Sequence, residues 1–319
     1  MIKHLLNGIA IGFLVASLFV TPAHAFINAA GGNPYSNTPT QPPIAATYGF
    51  NTLTLWDDFA TTGGFDLNAT YNPGYTWYMR AFQFAGAQSG QQLTVPGNSV
   101  STTNSILTIN TTTTGPSPYG GWMGTTGYVG ASANPQLVGN AFKNGGYFEA
   151  SVAFDPSNIP SWPGNPTPHG MAFWLQDNAV GLATSLNQNT GLPGIEFDIF
   201  EYYIPQGNVD WGSFEWTAYN AATSQGSHIY SVSGPTNFHK YGMLWVPVSK
   251  NSGTGLVRFY LDGVQNGSTI TYTSSSPLYA ADTSTLGLNL MIGSMPGWPM
   301  LIDYVMVWQT QSSDFAPVL

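Results

Sequence analysis

Glu196-Phe197-Asp198-Ile199-Phe200-Glu201, set between Gly194-Ile195 and Tyr202-Tyr203, is the stretch from which the rest of the chain is read. The chain holds 15 acidic residues among 319, yet three of them fall inside this one segment. The residues around them (Ile195, Phe197, Ile199, Phe200, Tyr202, Tyr203) are β-branched or aromatic, which predicts a strand with one apolar face. In a regular strand alternate side chains share a face, so Glu196 and Asp198 point together and Glu201 points away. One extra residue, a β-bulge within Asp198–Phe200, returns Glu201 to the face of the other two.

Three carboxylates on one face repel each other, and burying even one of them unpaired costs several kcal/mol. A solvated acidic strand face or a calcium site is one explanation. The other is chemical: a pair of carboxyl groups for cleaving a glycosidic bond, with the third tuning them. Two glutamates at this spacing can lean together until their carboxyl groups are about 5 Å apart, the separation that suits retaining hydrolysis.

Outward from this segment the chain reads as strand after strand. Ile106–Asn110, Gly146–Phe154, Met171–Gln176, Ile195–Tyr203 and Gly212–Tyr219 are followed by Tyr241–Val246, Leu256–Leu261, Leu286–Ile292 and Leu301–Trp308. Gly146–Phe154 alternates, with Phe148, Ala150, Val152 and Phe154 on one face. Asp262-Gly263 marks a tight hairpin turn. Helical periodicity is nowhere sustained, so the fold class is all-β, a sandwich or barrel. The Gly-, Pro- and Asn-rich segments Gly115–Gly139 and Ser157–His169 are expected to form the rims of a binding groove.

Lys3, the apolar run Leu5–Val20 and the ending Ala23-His24-Ala25 predict a signal peptide over 1–25, hence a secreted or periplasmic protein. The competing reading, an uncleaved anchor, needs a longer run without Asn7. Residues 26–50 read as a Pro/Gly/Asn-rich arm or linker, 51–311 as one β domain, and 312–319 as a C-terminal tail. The net charge is −9, and loss of Lys3 makes it more negative. Such a surface repels nucleic acid and anionic membranes, and the scattered Arg80, Lys143, Lys240, Lys250 and Arg258 form no evident cradle for an anionic polysaccharide. With no cysteine there is no disulfide, thiol nucleophile or thiolate metal site. Aromatic residues at 14% against charged residues at 7% suit a groove lined with rings and a neutral partner.

With these residues in view, the sequence resembles glycoside hydrolase family 16, the laminarinases and mixed-linkage β-glucanases. The segment Glu196–Glu201 matches that family's Glu-x-Asp-x-x-Glu on a bulged strand. Landmarks match in order on either side: Leu53–Phe59, Gly146-Tyr147-Phe148-Glu149-Ala150, Ala172-Phe173-Trp174, Phe238-His239-Lys240-Tyr241 with Trp245, Leu261-Asp262-Gly263 and Ile302-Asp303-Tyr304-Val305. The resemblance implies a concanavalin A-like jelly-roll sandwich of two curved antiparallel sheets with a concave substrate cleft. It implies a retaining endo-glycosidase acting on a neutral β-glucan of β-1,3 or mixed β-1,3/1,4 linkage. Glu196 would be nucleophile, Glu201 general acid/base, and Asp198 would lie between them. The same three acids would serve a transglycosylase, and the same fold serves carbohydrate-binding proteins with no catalysis. Glu215 stands where many glucan-cleaving members place a histidine, which bears on substrate class.

Sugar rings stack on aromatic faces. Trp162, Trp174, Trp211, Trp216 and Trp298, together with Glu215, are therefore the candidate substrate-binding residues, each of the strand tryptophans competing with a core role. Trp245 and Trp308 read as core, and His239 as structural. No cofactor is expected for catalysis. Asp303, with backbone carbonyls near Asp58–Phe59, is the candidate for a structural calcium, as in many relatives. The expected partner is a neutral polysaccharide or oligosaccharide, with no nucleic acid and no membrane after signal cleavage, and the expected state is a monomer.

Overall fold

The computed structural model describes residues 39–68, 70–78, 100–109, 121–129, 136–156, 169–179, 194–203, 208–218, 221–294 and 299–318. These residues build two sheets, numbered here by strand in chain order. The first runs β16 (Val264–Gln265), β15 (Gly255–Leu261), β14 (His239–Val246), β9 (Gly146–Phe154), β19 (Met300–Gln309), β5 (Ile106–Ile109) and β4 (Val100–Thr103). In the same sheet β1 (Thr52–Asp57) pairs with β19 and β17 (Ile270–Tyr272) with β15. The second runs β13 (Ala221–Tyr230), β12 (Asn208–Ala218), β11 (Gly194–Tyr203), β10 (His169–Asp177), β18 (Leu288–Ser294), β6 (Gly121–Gly124), β3 (Trp77–Tyr78) and β2 (Phe65–Asp66). Here β8 (Gln136–Phe142) joins β18 and carries β7 (Thr126–Val129) and β20 (Phe315–Pro317). Pairing is antiparallel except between β2 and β3. The architecture is the expected jelly-roll sandwich.

Period-2 patterning explains the core. Phe148, Ala150, Val152 and Phe154 of β9 join Tyr241, Met243 and Trp245 of β14 and meet Phe173, Leu175, Ile195 and Phe197 from the second sheet in one buried cluster. The Asp262-Gly263 turn is a two-residue hairpin: Leu261 pairs with Val264, and both turn residues have positive φ, +52° and +79°. Both central positions of such a turn need the left-handed region, which Asp-Gly supplies with little strain.

Three boundaries differ from the sequence reading. The arm expected to end at 50 is packed onto the fold near its end: α1 (Pro43–Thr47) precedes Phe50, and Ala45 and Phe50 are fully buried. The expected tail is part of a sheet, because β20 pairs with β8 and Phe315 stacks on Phe142 at 4.4 Å. Gly115–Gly139 is not one long rim, since β6, β7 and the start of β8 fall within it.

Candidate active site

The acids lie on β11, whose inward side chains are Ile195, Phe197 and Ile199 and then Phe200 and Tyr202. Two consecutive residues, Ile199 and Phe200, both enter the core, so the alternation slips there. The flanking strands record the same slip. Against β12, Asp198 faces Gly212 and Glu201 faces Asp210, so β11 spends one more residue than its partner. Against β10, Asp198 faces Trp174 and Phe200 faces the adjacent Phe173. β11 is bulged between Asp198 and Glu201, and Glu201 returns to the face of Glu196 and Asp198.

Directly paired residues share a face, so three rows cross this sheet on the side away from the core. One row is Phe214, Glu196, Gln176 and Asn289. The next is Gly212, Asp198, Trp174, Met291 and Gly124, and the third is Asp210, Glu201, Ala172, Gly293 and Trp122. Asp198 is buried, whereas Glu196 and Glu201 are half-buried. Burial first, and then the negative fields of Glu196, Glu201 and Asp210, hold the Asp198 carboxyl well above the usual carboxylate range, and a hydrogen bond with Glu196 adds to the effect. The raised carboxyl favours a proton on Asp198, and that proton is shared toward Glu196.

Glu196 has a second donor. Gln176, fully buried on β10, donates its Nε2 to Glu196 Oε2 at 2.5 Å. Hydrogen bonds donated to a carboxylate favour its charged form, so both neighbours support an ionised Glu196. Beside the acids Trp174 and Trp122 meet edge to face at 4.9 Å and close a small apolar patch with Ala172 and Met291, separate from the main core. Two carboxyl groups joined by a hydrogen bond, a third across the bulge and an aromatic patch beside them are parts that displacement at an acetal carbon can use.

No family model matches this sequence, and no curated protein is significantly similar to it. Solved structures do match. Laminarinase from Flavobacterium sp. UMI-01 aligns with a TM-score of 0.53 at 16% identity, covering 81% of this chain and 100% of the other. The endo-1,3-β-glucanase of Streptomyces sioyaensis aligns at 0.54 and 17% identity over 85% of this chain and 98% of its own. A Bacteroides ovatus mixed-linkage glucan enzyme of glycoside hydrolase family 16, in complex with product, aligns at 0.50 and 16% identity over 79% and 99%. The chain has the laminarinase fold.

On this laminarinase fold the sequence-based candidates separate. Trp174 lies on the face of the acids. Trp211 does not: it points into the core and stacks on Phe259 of the other sheet at 4.3 Å and 12°. Glu215 is also turned away, because it pairs with the core residue Ile195 while Phe214 takes the place opposite Glu196. Both were misassigned for one reason, that strand parity is invisible until the register with Glu196 is known. Trp216 lies on β12 opposite Gly194, beyond the side chains described. Trp162 and Trp298 are outside the described residues. Gln176, Asp210 and Trp122 were missed. Gln176 carried a weak signal, standing two residues after Trp174 on a strand.

Asp303 is buried on β19 at a slip in the pairing with β9, where Ile302 faces Val152 and Tyr304 faces Ser151. Burial and then the charge of Asp58 push its carboxyl up to about 6, with Lys240 acting in the opposite direction. Its Oδ2 has no hydrogen-bond partner among the described residues. Those residues contain no cluster of three His, Cys, Asp or Glu side chains placed to share a metal. His239 Nδ1 is hydrogen-bonded to Asp262 Oδ2 at 2.8 Å.

Proposed function

We propose that this chain is a retaining endo-glycosidase of neutral β-glucans with β-1,3 or mixed β-1,3/1,4 linkages. The observation that carries the reading is the bulge that brings Glu201 to the face of Glu196 and Asp198. Glu196, held ionised by Gln176 and Asp198, attacks the anomeric carbon while Glu201 gives its proton to the departing glycosidic oxygen. The bond to the leaving sugar breaks as a glycosyl–Glu196 ester forms. Glu201, now a carboxylate, takes a proton from water, which displaces Glu196 with a second inversion. Asp198 keeps a neutral group between the two glutamates, so that neither faces a full third charge.

The solved relatives supply the substrate class by their own names only: a laminarinase, an endo-1,3-β-glucanase and a mixed-linkage glucan enzyme. The aromatic patch of Trp174 and Trp122 supports a sugar-facing site. Export through the 1–25 signal segment belongs to the same reading, since the polymer lies outside the cell. Asp303, with an unpartnered buried carboxylate oxygen near Asp58, fits a hard cation such as calcium, which would neutralise that pair without entering the reaction.

Reducing-sugar release from laminarin, lichenan and agarose tests the substrate. Replacing Glu196 or Glu201 with Gln is expected to lower turnover by at least 10²–10⁴-fold, roughly the contribution of a positioned acid or base, with binding retained. Full activity in either variant overturns the assignment. Products longer than the substrate would mean that a sugar, not water, resolves the intermediate.

A further inference from the structure

In a sandwich the outer face of a sheet meets water and is expected to be polar along each strand. The outer residues of β9 break that expectation. Tyr147 and Glu149 are 1% and 3% exposed, although they point away from the main core. Their cover is the arm that leads into β1: Ala45 and Phe50 pack with Tyr147, Leu244, Tyr260 and Tyr304 in a second cluster. Gln41 fixes the arm by donating its Nε2 to the Phe50 carbonyl at 2.8 Å.

The arm does not close fully on the sheet. Between them lies a cavity of about 750 Å³, with Trp56, Glu149, Lys240, Tyr260 and Asp262 in its wall. At its floor Glu149 accepts two phenol hydroxyls, from Tyr147 and from Tyr304, each at 2.7 Å. Tyr147 can reach because residue 242 of the neighbouring strand is glycine. A Cβ there would stand 2.5 Å from the Tyr147 hydroxyl. Burial raises the Glu149 carboxyl, and the two tyrosines, with Lys240 behind them, act against that. A sandwich gains nothing by burying a carboxylate here, because an apolar residue of similar size would pack as well or better.

The chemistry of the wall selects the ligand. Each tyrosine gives its hydroxyl hydrogen to Glu149, so that toward any other group its oxygen can only accept. Lys240 brings donors. Asp262 brings an acceptor, fixed by His239 at 2.8 Å and by the Lys240 backbone N–H at 2.9 Å. The Trp56 ring lies 5.2 Å from that of Tyr304, tilted by 32°, and Tyr147 lies 5.8 Å from Tyr260. Lys240 disfavours an organic cation, and Glu149 with Asp262 disfavours an anion. The polar floor disfavours an acyl chain. Ring walls with donors and acceptors together match the faces and hydroxyls of an uncharged sugar, and the volume lies in the range of small-molecule sites.

We propose that this cavity is a second glycan-binding site, on the opposite face of the sandwich from the acids, holding a short length of a neutral sugar chain while the acid strand works elsewhere on it. The lining argues for the sugar by itself. The inference shares with the proposed function the substrate class alone.

The test uses the full chain with Glu196→Gln, so that sugar is bound without being cut, and titrates it calorimetrically with laminarin- and lichenan-derived oligosaccharides. Two equivalents are expected. Adding Trp56→Ala or Lys240→Met should remove one of them or weaken it by about tenfold or more, the loss of one stacking or charged hydrogen-bond contact. If Trp56→Ala melts early, Lys240→Met at the cavity rim decides. One equivalent in the parent, or binding unchanged in a folded Lys240→Met protein, overturns the second site. Turnover surviving in Glu196→Gln would instead sink the catalytic assignment and leave the back-face comparison to be read with short oligosaccharides. The two failures are distinct.

Discussion

Gln176 and Asp198 approach Glu196 from different directions, and they do so by different means. Gln176 offers a permanently neutral N–H donor from β10, while Asp198 is a donor only as long as it keeps its proton. A hydrogen bond to a charged group is worth about 1.5–3 kcal/mol. Gln176→Met is therefore expected to lower kcat on the order of 10–100-fold with KM little changed, since the loss falls on the reacting carboxylate and not on the sugar contacts. Steady-state kinetics on the best glucan checks this, and an unaltered kcat would show that Asp198 alone suffices. At this scale the sequence reveals the acids but not their support. Three carboxyl groups within one apolar strand are visible by type, whereas a glutamine two places after a tryptophan carries no mark until Gln176 is found opposite Glu196.

The bulge and the parity of β12 decide which side chains look at the acids. Trp174 and Trp211 are both nearly buried tryptophans on strands next to β11, yet one lies beside the acids and the other stacks on Phe259 between the sheets. Their truncations should separate. Trp211→Ala is expected to cost about 3–5 kcal/mol of stability, the range for emptying a large core site, with oligosaccharide affinity intact. Trp174→Ala should weaken oligosaccharide binding while the melting temperature falls less. Thermal melts paired with binding titrations on the two variants check the contrast, and equal behaviour would contradict the register-based placement. The strands that reading the sequence finds are those with strong alternation, such as β9 and β14. It misses β13 because the run Ala221–Tyr230 is small and polar. An edge strand with exposed side chains, such as Thr223, Ser227 and Ile229, needs no apolar period. It misses β20 for a related reason: a three-residue strand is held by its partner β8 and by one ring stack, not by its own pattern.

For the whole molecule, stability rests on the core and on buried polar groups, since there is no disulfide. Asp177, at the end of β10, is 2% exposed, and burial pushes its carboxyl up to about 6 against backbone and Ser284 hydrogen bonds that act the other way. A carboxyl raised in the folded state binds its proton more tightly there than in the unfolded chain. Its contribution is therefore fully present below the unfolded value of 3.8 and is lost as pH rises through about 6. Asp177→Asn should flatten this part of the profile, so that the variant gains on the parent between pH 4 and pH 7 by roughly 2–3 kcal/mol at most. Denaturant unfolding at the two pH values measures it, and parallel profiles would mean that Asp177 is ionised in both states.

The extra residue in β11 also limits how the sheet can go wrong. Between the rungs occupied by Asp198 and Glu201 this strand is out of step with both neighbours, so its two halves obey opposite rules of alternation. Sliding it by one rung would thrust Glu196 and Asp198 into the oily interior at one end and Glu201 at the other, and squeeze Phe197 and Phe200 out into water. No single displacement satisfies both halves. The kink that gathers the acids thus acts as a frame lock, and a chain that had paired its strands wrongly would be driven to let go and try again.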